Sequence, residues 1–284
     1  MEIREFSKEY WPKGLFEIPQ VPEKLYIMGE FSDEDLIYLS VVGSRKYTSY
    51  GKEVCEKLIE GLRGYPICIV SGFALGMDTI AHKKAMEVGL KTIVFPGSGL
   101  SKSAIHPKAN INLMEEVVRK GGCLISEYEE NFKATHWSFP MRNRLMAAIS
   151  KAVLIIEAEE KSGTMITARL ATEYNKDVLA IPGNIFSPNS TGTNKLIRLG
   201  ATPITKVEDL LEALGFEVKE NFQNSLFEDL DKDEKKVLDI LREPLERDIL
   251  IQKLNMNVGE ANALLSVMEI KDLIKEELGK IQRK

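Results

Sequence analysis

The chain has 284 residues, of which 44% are hydrophobic and 29% are charged, and its formal net charge at pH 7 is −5. These proportions are ordinary for a globular protein with one large domain and a small appendage, and they exclude a chain that is basic overall. A polyanionic ligand would therefore need positive charge that is concentrated locally.

Residues 1–35 are rich in proline and aromatic side chains and show no regular periodicity. This composition predicts an irregular lead-in that packs on the domain after it. The first residues lack the apolar core of a signal peptide. No stretch of the chain approaches the roughly 20 apolar residues of a membrane-spanning helix. We therefore expect a cytoplasmic protein without a membrane span.

Residues 36–216 repeat one rhythm, in which a short apolar run is followed by a loop with glycine or serine and then by an amphipathic segment. The predicted strands are 36–42, 67–70, 92–95, 123–125, 152–156 and 178–181. The clearest predicted helices are 51–62, 77–88, 111–120 and 165–174. The strands are apolar on both faces, which is typical of parallel strands covered by helices on each side. The pattern predicts the α/β class, with an extended Rossmann-like, doubly wound, mostly parallel sheet that binds ligands beyond the carboxyl ends of its strands.

The periodicity lapses after this domain, and residues 217–230 are predicted to form a linker. Residues 231–284 then show three helical patterns followed by two short strands that turn at Gly279. Three helices before a hairpin are typical of a winged-helix domain. Its third helix carries Glu260 and Glu269 but no arginine or lysine, and this disfavours a role in reading the DNA major groove.

Three windows contain no acidic residue, although the whole chain has 43 of them: 36–52, 131–156 and 178–207. Each window retains basic residues, among them Arg45 in the first and Lys195 in the third. A buried strand excludes acids and bases alike, whereas an anion-binding surface excludes acids and keeps bases. The windows therefore favour anion binding.

Four of the predicted strands end in loops that contain glycine beside hydroxyl, amide or basic side chains. These loops are Gly43-Ser44-Arg45, Ser71-Gly72, Ser162-Gly163-Thr164 and Pro182-Gly183-Asn184. Glycine lets the backbone approach an anion, and the N-terminus of the following helix adds its dipole. Arg45 can hold a phosphate through two parallel hydrogen bonds. For any one loop the alternative is a glycine that only makes the turn. Together, at one edge of the sheet, the four loops predict a continuous anion-binding groove.

The sequence FPMRNR, which begins at residue 139, places two arginines and an asparagine within three residues. Pro140 predicts the start of a helix with Arg142, Asn143 and Arg144 in its first turn. Cations there oppose the helix dipole unless an anion is bound. Phe139 offers a ring on which a base could stack.

The alternative for either arginine is an ion pair with a structural acid such as Glu157.

Elsewhere the sequence contains no dinucleotide-binding or P-loop glycine motif, so no cofactor is expected. The three cysteines and three histidines lack metal-ligand spacing, and no metal site is expected. His82 is interpreted as a packing or hydrogen-bonding residue, and we find no catalytic constellation.

In this order, the loops resemble those of the DNA-processing protein A family, also called DprA or Smf. The resemblance runs from about residue 10 to residue 216. Its motifs, each with the number of its first residue, are VGSR (42), YG (50), SGFALGMD (71), AH (81), SEY (126), FPMRNR (139), EA (157), SGT (162), PG (182), GTNKLI (192) and GA (200). The C-terminal segment is similar to the winged-helix appendage of that family.

The resemblance implies a protein that binds single-stranded DNA without sequence preference, protects incoming DNA in natural transformation, helps to load the recombinase RecA and commonly dimerises through its Rossmann domain. By motif, it places Ser44, Arg45, Arg142, Asn143, Arg144 and the 162–164 loop in the DNA pocket. Combined with the loop chemistry, the residues expected to contact DNA are Gly43, Ser44, Arg45, Ser71, Gly72, Phe139, Arg142, Asn143, Arg144, Ser162, Gly163, Thr164 and Lys195.

The alternative function is that of a nucleotide-binding enzyme or sensor related to nucleotide phosphoribohydrolases. The loop at 162–164 is distantly similar to theirs, but that group carries a catalytic glutamate three residues after its Gly-Thr pair. Thr167 occupies this position here. The sequence therefore favours a binding protein over an enzyme.

Overall fold

The computed structural model describes residues 2–31, 35–217, 231–241, 244–271, 273–277 and 279–283. The chain divides into two compact units, Met1–Glu217 and Val218–Lys284. Apart from Glu217, the predicted linker at 217–230 lies outside the described residues. None of the described helices is long and apolar enough to cross a membrane.

The first unit is built on one sheet, which has nine strands within the described residues. They are β1 Ile3–Glu5, β2 Tyr26–Gly29, β3 Ile37–Val42, β4 Ile67–Ser71, β5 Lys91–Val94, β6 Cys123–Ser126, β7 Ala152–Ile155, β8 Asp177–Ala180 and β9 Thr202–Pro203. Their order across the sheet is β1-β2-β6-β5-β4-β3-β7-β8-β9. All neighbours from β6 to β9 pair in parallel. The predicted doubly wound α/β fold is confirmed, and each of the six predicted strands is found within one residue of its expected ends.

The lead-in departs from the prediction, because residues 1–35 are not wholly irregular. β2 pairs antiparallel with β6, and β1 pairs antiparallel with β2. Short 3₁₀ helices at Lys8–Tyr10 and Lys13–Phe16 lie between them. Strands of three or four residues are too short to show an alternating pattern, and here the available sheet edge at β6 decides their conformation.

Seven α-helices accompany this sheet in the described residues. They are α1 Ser49–Gly61, α2 Met77–Glu87, α3 Ile111–Arg119, α4 Ser138–Ile149, α5 Gly163–Glu173, α6 Thr191–Arg198 and α7 Val207–Ala213. One core on the sheet joins α4 and α5 to apolar residues of the lead-in. Another joins α2 and α3 to strand residues such as Val94 and Leu124. Helices therefore cover both faces of the sheet, as the apolar strands require.

The second unit contains α8 Lys232–Ile240, β10 Leu245–Glu246, α9 Arg247–Leu254, α10 Val258–Ile270, β11 Ile274–Glu277 and β12 Lys280–Arg283. Its strands form an antiparallel sheet in the order β10-β12-β11. It has an apolar core of its own. Three helices precede a hairpin that turns at Gly279, where φ is +75°. This order of elements is the one on which the winged-helix prediction rests.

The lead-in packs against the C-terminal end of α4 at Gly14, and this contact can be tested. A Cβ on Gly14 would lie 2.0 Å from the carbonyl oxygen of Ala148, a backbone atom that cannot swing away. We expect Gly14→Ala to lower the free energy of unfolding by about 1–3 kcal/mol, as overpacking of an interior commonly does. Urea denaturation measures the change.

The matched control is Gly163→Ala, because nothing lies within 4 Å of a Cβ added at Gly163. We expect no loss of stability there. Equal denaturation midpoints for the two variants would contradict the close packing of the lead-in on α4.

Candidate nucleic-acid interface

A pocket of about 370 Å³ opens beyond the carboxyl ends of β3, β4 and β7. In the sheet, β3 lies between β4 and β7. The chain continues from β3 to β4 on one side of β3 and later forms β7 on its other side. This is the topological switch point at which doubly wound sheets bind ligands. The residues that line the pocket are Val42, Gly43, Ser44, Arg45, Lys46, Ala74, Asp78, Phe139, Pro140, Arg142, Asn143, Met146, Glu159, Lys161, Ser162, Gly163, Thr164, Ile166 and Thr167.

The loop after β3 supplies the most exposed guanidinium of the pocket. The backbone N–H of Lys46 donates to Ser44 Oγ over 3.0 Å, which fixes the turn. The Arg45 guanidinium lies 5.6 Å from the centroid of the Phe139 ring, within the range of a cation–π contact. Arg45 is solvent-exposed. The ring therefore holds a guanidinium that remains open to a ligand.

The loop after β7 leads into the N-terminus of α5, which faces the pocket through Ser162, Gly163 and Thr164. The first backbone N–H groups of a helix have no intrahelical acceptor, and the dipole makes this end positive. Thr164 Oγ1 donates to the Gly43 carbonyl over 3.2 Å and ties this loop to the one after β3. Ser162 Oγ is buried and has no hydrogen-bond partner among the described residues. The site thus combines free backbone donors with an unsatisfied hydroxyl.

The FPMRNR motif lies on α4, but the predicted start of that helix is wrong by two residues. The helix begins at Ser138, so Pro140 is its third residue and Arg142 lies in the second turn. Ser138 Oγ donates to the Gly97 carbonyl over 2.6 Å, which anchors the first turn. Proline is tolerated at the third position because the N–H groups of the first turn need no helical acceptor. The arginines therefore do not oppose the dipole at the helix start.

Arg142 is 6% exposed and acts from the wall of the pocket. It donates to the Phe95 carbonyl and, through Nε, to Asn143 Oδ1 over 3.0 Å. Burial lowers the pKa of Arg142 to about 10, and the nearby charge of Asp78 opposes the shift. Burial likewise raises the pKa of Asp78, whereas the nearby positive charge of Arg142 lowers it. The two buried charges therefore partly neutralise each other.

Gly72 makes room for these two charged side chains. A Cβ at Gly72 would lie 2.4 Å from an Nη of Arg142 and 2.4 Å from Oδ2 of Asp78. The sequence predicts that Gly72 lets the backbone approach an anion, whereas in the structure it lets Arg142 and Asp78 approach the backbone. The carbonyl oxygen of Gly72 is 2.7 Å from His82 Nε2.

Arg144 does not reach the pocket. Its guanidinium pairs with Glu127, and both side chains are largely buried. Burial raises the pKa of Glu127, and the charge of Arg144 opposes that shift. Glu157 is the acid that the sequence analysis offers as a partner for the arginines. Its carboxylate instead accepts hydrogen bonds from the backbone N–H and the hydroxyl of Thr48, over 2.9 and 2.6 Å. Arg144 is thus a structural residue, paired with a different acid from the one anticipated.

Other predicted contacts also lie outside the lining of the pocket. Ser71 is buried and donates to the Val41 carbonyl over 2.6 Å. Lys195, on α6, pairs with Glu160 at 2.5 Å. The fourth glycine loop is tied to α6, since the N–H of Gly183 donates to Asn194 Oδ1 over 3.2 Å. The groove is therefore formed by the loops after three strands together with α4, not by four loops.

Four charged lining residues are not among the predicted DNA contacts: Lys46, Asp78, Glu159 and Lys161. Lys161 directly precedes the Ser-Gly-Thr loop, and its position beside that loop could have identified it as a lining residue from the sequence. The lining contains four cations, namely Arg45, Lys46, Arg142 and Lys161, against the two acids Asp78 and Glu159. A chain with a negative net charge therefore presents a net positive pocket.

His82 supports the loop after β4 from the core. It is fully buried, and its Nδ1 lies 2.7 Å from Thr92 Oγ1. Because the Gly72 carbonyl can only accept, Nε2 carries the proton of the neutral ring. Burial lowers the pKa of His82 from 6.5 to about 4, with the charge of Arg142 acting in the same direction. The interpretation of His82 as a hydrogen-bonding core residue is confirmed.

Comparison with known proteins identifies one family. The family model of DNA recombination-mediator protein A matches residues 2–215. Protein Smf of Escherichia coli is 37% identical over 210 residues, which are 74% of this chain and 56% of that protein. The chain therefore spans little more than half the length of that relative.

Two solved structures are similar over most of the chain. DNA processing protein A from Streptococcus pneumoniae aligns with a TM-score of 0.69 and 36% identity, covering 77% of this chain and 76% of that one. DNA processing protein A from Helicobacter pylori aligns with a TM-score of 0.66 and 32% identity, covering 81% and 98%. The latter structure concerns the single-stranded DNA binding mode of the H. pylori protein.

The buried ion pair predicts a stability effect for Arg144. Removing one partner leaves an uncompensated buried charge, so we expect Arg144→Ala to lower the free energy of unfolding by about 3–5 kcal/mol. Urea denaturation measures the loss. Arg169→Ala is the control, because Arg169 forms an exposed pair with Glu173 and should cost less than about 1 kcal/mol. Equal midpoints for the two variants would show that the buried pair is not structural.

The lowered pKa of His82 predicts a pH dependence of stability. Between about pH 6.5 and about pH 4 the unfolded chain binds a proton that the folded chain does not, so stability falls as the pH falls. The loss amounts to at most about 3 kcal/mol. The raised pKa values of Asp78 and Glu127 act in the opposite direction, so the measurement compares wild type with His82→Gln. Urea denaturation at several pH values should give a steeper loss for wild type, and parallel curves would contradict the assignment.

Proposed function

The chain belongs to the DNA recombination-mediator protein A family, and we propose that its pocket binds the phosphate backbone of single-stranded DNA. The observation that carries this proposal is the convergence of Arg45, Lys161 and the N-terminus of α5 on one pocket. Phosphates are bound by such combinations of guanidinium, ammonium and free backbone N–H groups. The unsatisfied Ser162 hydroxyl adds a donor of the kind that a phosphate oxygen accepts.

A preference for single strands follows from the shape of the site. The cationic groups line a recessed pocket of about 370 Å³ rather than a flat surface. A flexible single strand can turn one nucleotide into such a recess, whereas a stiff duplex keeps its phosphates on the outside of a wide cylinder. Contacts to the phosphate backbone carry no sequence information, so binding should be independent of sequence. The described binding mode of the H. pylori relative supports the same ligand class.

Three groups of predicted contacts that line the pocket have distinct roles under this proposal. Arg45 and the 162–164 loop bind phosphate directly, and Gly43 and Ser44 shape the turn that presents Arg45. Arg142 and Asn143 form the wall behind them. Natural transformation and homologous recombination are the proposed settings. Protection of the strand, RecA loading and dimerisation remain predictions drawn from the family resemblance, and a cytoplasmic location remains a prediction drawn from the sequence.

We propose a binding protein rather than an enzyme. In the alternative of a nucleotide hydrolase, a carboxylate would occupy position 167, and the structure has the buried Thr167 at the edge of the pocket. The buried carboxyl of Asp78 accepts from the Ala74 N–H over 3.2 Å and faces Arg142, which commits it internally. Release of free base from nucleoside monophosphates by the pure protein would favour the alternative.

The direct test is binding of a labelled oligothymidylate, measured by fluorescence anisotropy at two salt concentrations. A hydrogen bond to a charged group contributes about 1.5–3 kcal/mol, so Arg45→Ala should weaken binding about 10- to 150-fold. The dependence of log affinity on log salt should also decrease by about 0.7 for each phosphate that the variant no longer binds. Because Arg45 is exposed, its removal should leave the denaturation midpoint unchanged. Lys161→Ala should act in the same direction.

The matched control is Arg119→Ala. Arg119 is 74% exposed and ends α3, at the edge of the sheet opposite the carboxyl ends of the strands. Affinities of Arg45→Ala and Lys161→Ala equal to that of Arg119→Ala would reject the pocket as the binding site.

A further inference from the structure

The ring that the sequence offers for base stacking, Phe139, is already engaged. The Arg45 guanidinium covers it at 5.6 Å, and the His106 ring lies 5.8 Å away between centroids. Gly97 packs so closely that a Cβ there would lie 2.6 Å from Phe139 Cδ1. A base that stacked on Phe139 would have to displace the guanidinium that holds phosphate. A more exposed ring near the pocket would accept a base without that displacement.

We propose that Trp137 stacks on a base of the bound strand, next to the nucleotide whose phosphate occupies the pocket. Trp137 is 56% exposed, although large aromatic side chains are usually buried. The inference rests on the proposed function, since it extends the path of the same strand beyond the pocket.

Trp137 is built into a rigid aromatic cluster, which also contains Tyr128 and Phe132. Tyr128 and Phe132 stack at 4.4 Å between centroids, with 15° between their planes. The Trp137 ring packs against them at 5.8 Å and 5.7 Å, in edge-on and tilted arrangements. Two neighbours thus fix the indole while more than half of its surface stays open. A preorganised ring loses little rotamer freedom when a base stacks on it.

The backbone places this ring beside the pocket. Trp137 precedes the first residue of α4, has helical dihedral angles of −79° and −25°, and accepts from the Met141 N–H over 3.2 Å. Residues three apart lie on the same side of a helix, so Trp137 neighbours Pro140, which lines the pocket. A strand that leaves the pocket past Pro140 therefore meets the indole next.

The charges around the cluster fit a base rather than a phosphate. Lys133 and His136 lie on the same segment, but so do the acids Glu129 and Glu130. This mixture gives no net attraction for an anion. A neutral aromatic base has no such requirement, because stacking on an indole depends on the faces of the two rings.

Tryptophan fluorescence reports on the contact directly. The chain has two tryptophans, and the other one, Trp11, is 5% exposed. Stacking of a base quenches an indole, so oligothymidylate should quench the exposed Trp137 in proportion to binding. The quench should disappear in Trp137→Phe, while the affinity stays within about twofold because a ring remains for stacking.

Contacts to bases can be distinguished from contacts to the backbone by comparing the affinities of two ligands. These are oligothymidylate and an abasic phosphodeoxyribose oligomer of equal length. Trp137→Ala should weaken binding of oligothymidylate about 5- to 150-fold and leave binding of the abasic oligomer unchanged. Arg45→Ala should weaken binding of both. Tyr10→Ala is the matched control, because Tyr10 is 55% exposed and lies in the lead-in, which packs on the far end of α4.

The outcomes distinguish the two proposals. If wild type binds both oligomers, but Trp137→Ala behaves like Tyr10→Ala and no quench occurs, the stacking assignment is overturned and the phosphate pocket stands. If wild type binds neither oligomer, the proposed function itself fails, and the stacking assignment with it. A loss of both ligands in Trp137→Ala, with Trp137→Phe normal and correctly folded, would also overturn the assignment, because the ring would then support the pocket rather than bind a base.

Discussion

The site depends on the parallel pairing of β3 with both β4 and β7. This pairing brings three strand ends to one point of the sheet, although the segments are far apart in sequence. It also aims the N-terminus of α5 at the same place as the turn after β3. The Thr164 hydroxyl bonds to the Gly43 carbonyl and joins the two loops directly. The chemistry of the pocket therefore follows from the topology, with few specialised residues.

Three arginines that look alike in sequence have different environments, and desolvation explains the difference. Arg45 stays in water and keeps its donors for a ligand. Arg142 is buried, so it requires the Phe95 carbonyl, Asn143 and the charge of Asp78 around it. Arg144 is buried away from the pocket and requires a full carboxylate partner, Glu127. Because burying an unpaired charge is costly, the two buried arginines have partners within the protein, and the exposed Arg45 is the one proposed to bind the ligand.

Most of the fold and part of the candidate site can be predicted from the sequence, and the remaining features depend on contacts that no local pattern shows. The apolar runs and glycine loops predicted the strands and the edge that carries the site, because both depend on local patterns. The pairing of Arg144 with Glu127 depends on which side of α4 meets the end of β6, and no local pattern records this. The short strands β1 and β2 form only because β6 offers an edge. Trp137 lies two residues before a motif that drew attention to Phe139, and only packing shows which of the two rings is more exposed.

A net charge of −5 is compatible with the proposed binding of a polyanion, because electrostatic interactions in salt solution are screened over short distances. At physiological ionic strength the screening length is about 8 Å, so acids on distant surfaces contribute little at the pocket. Within the pocket the balance is four cations to two acids, and Asp78 is engaged with Arg142. Distant acids still oppose the approach of a long strand when salt is low. Under the proposed function, local charge sets the affinity, and the negative net charge opposes nonspecific binding of nucleic acid to the rest of the surface.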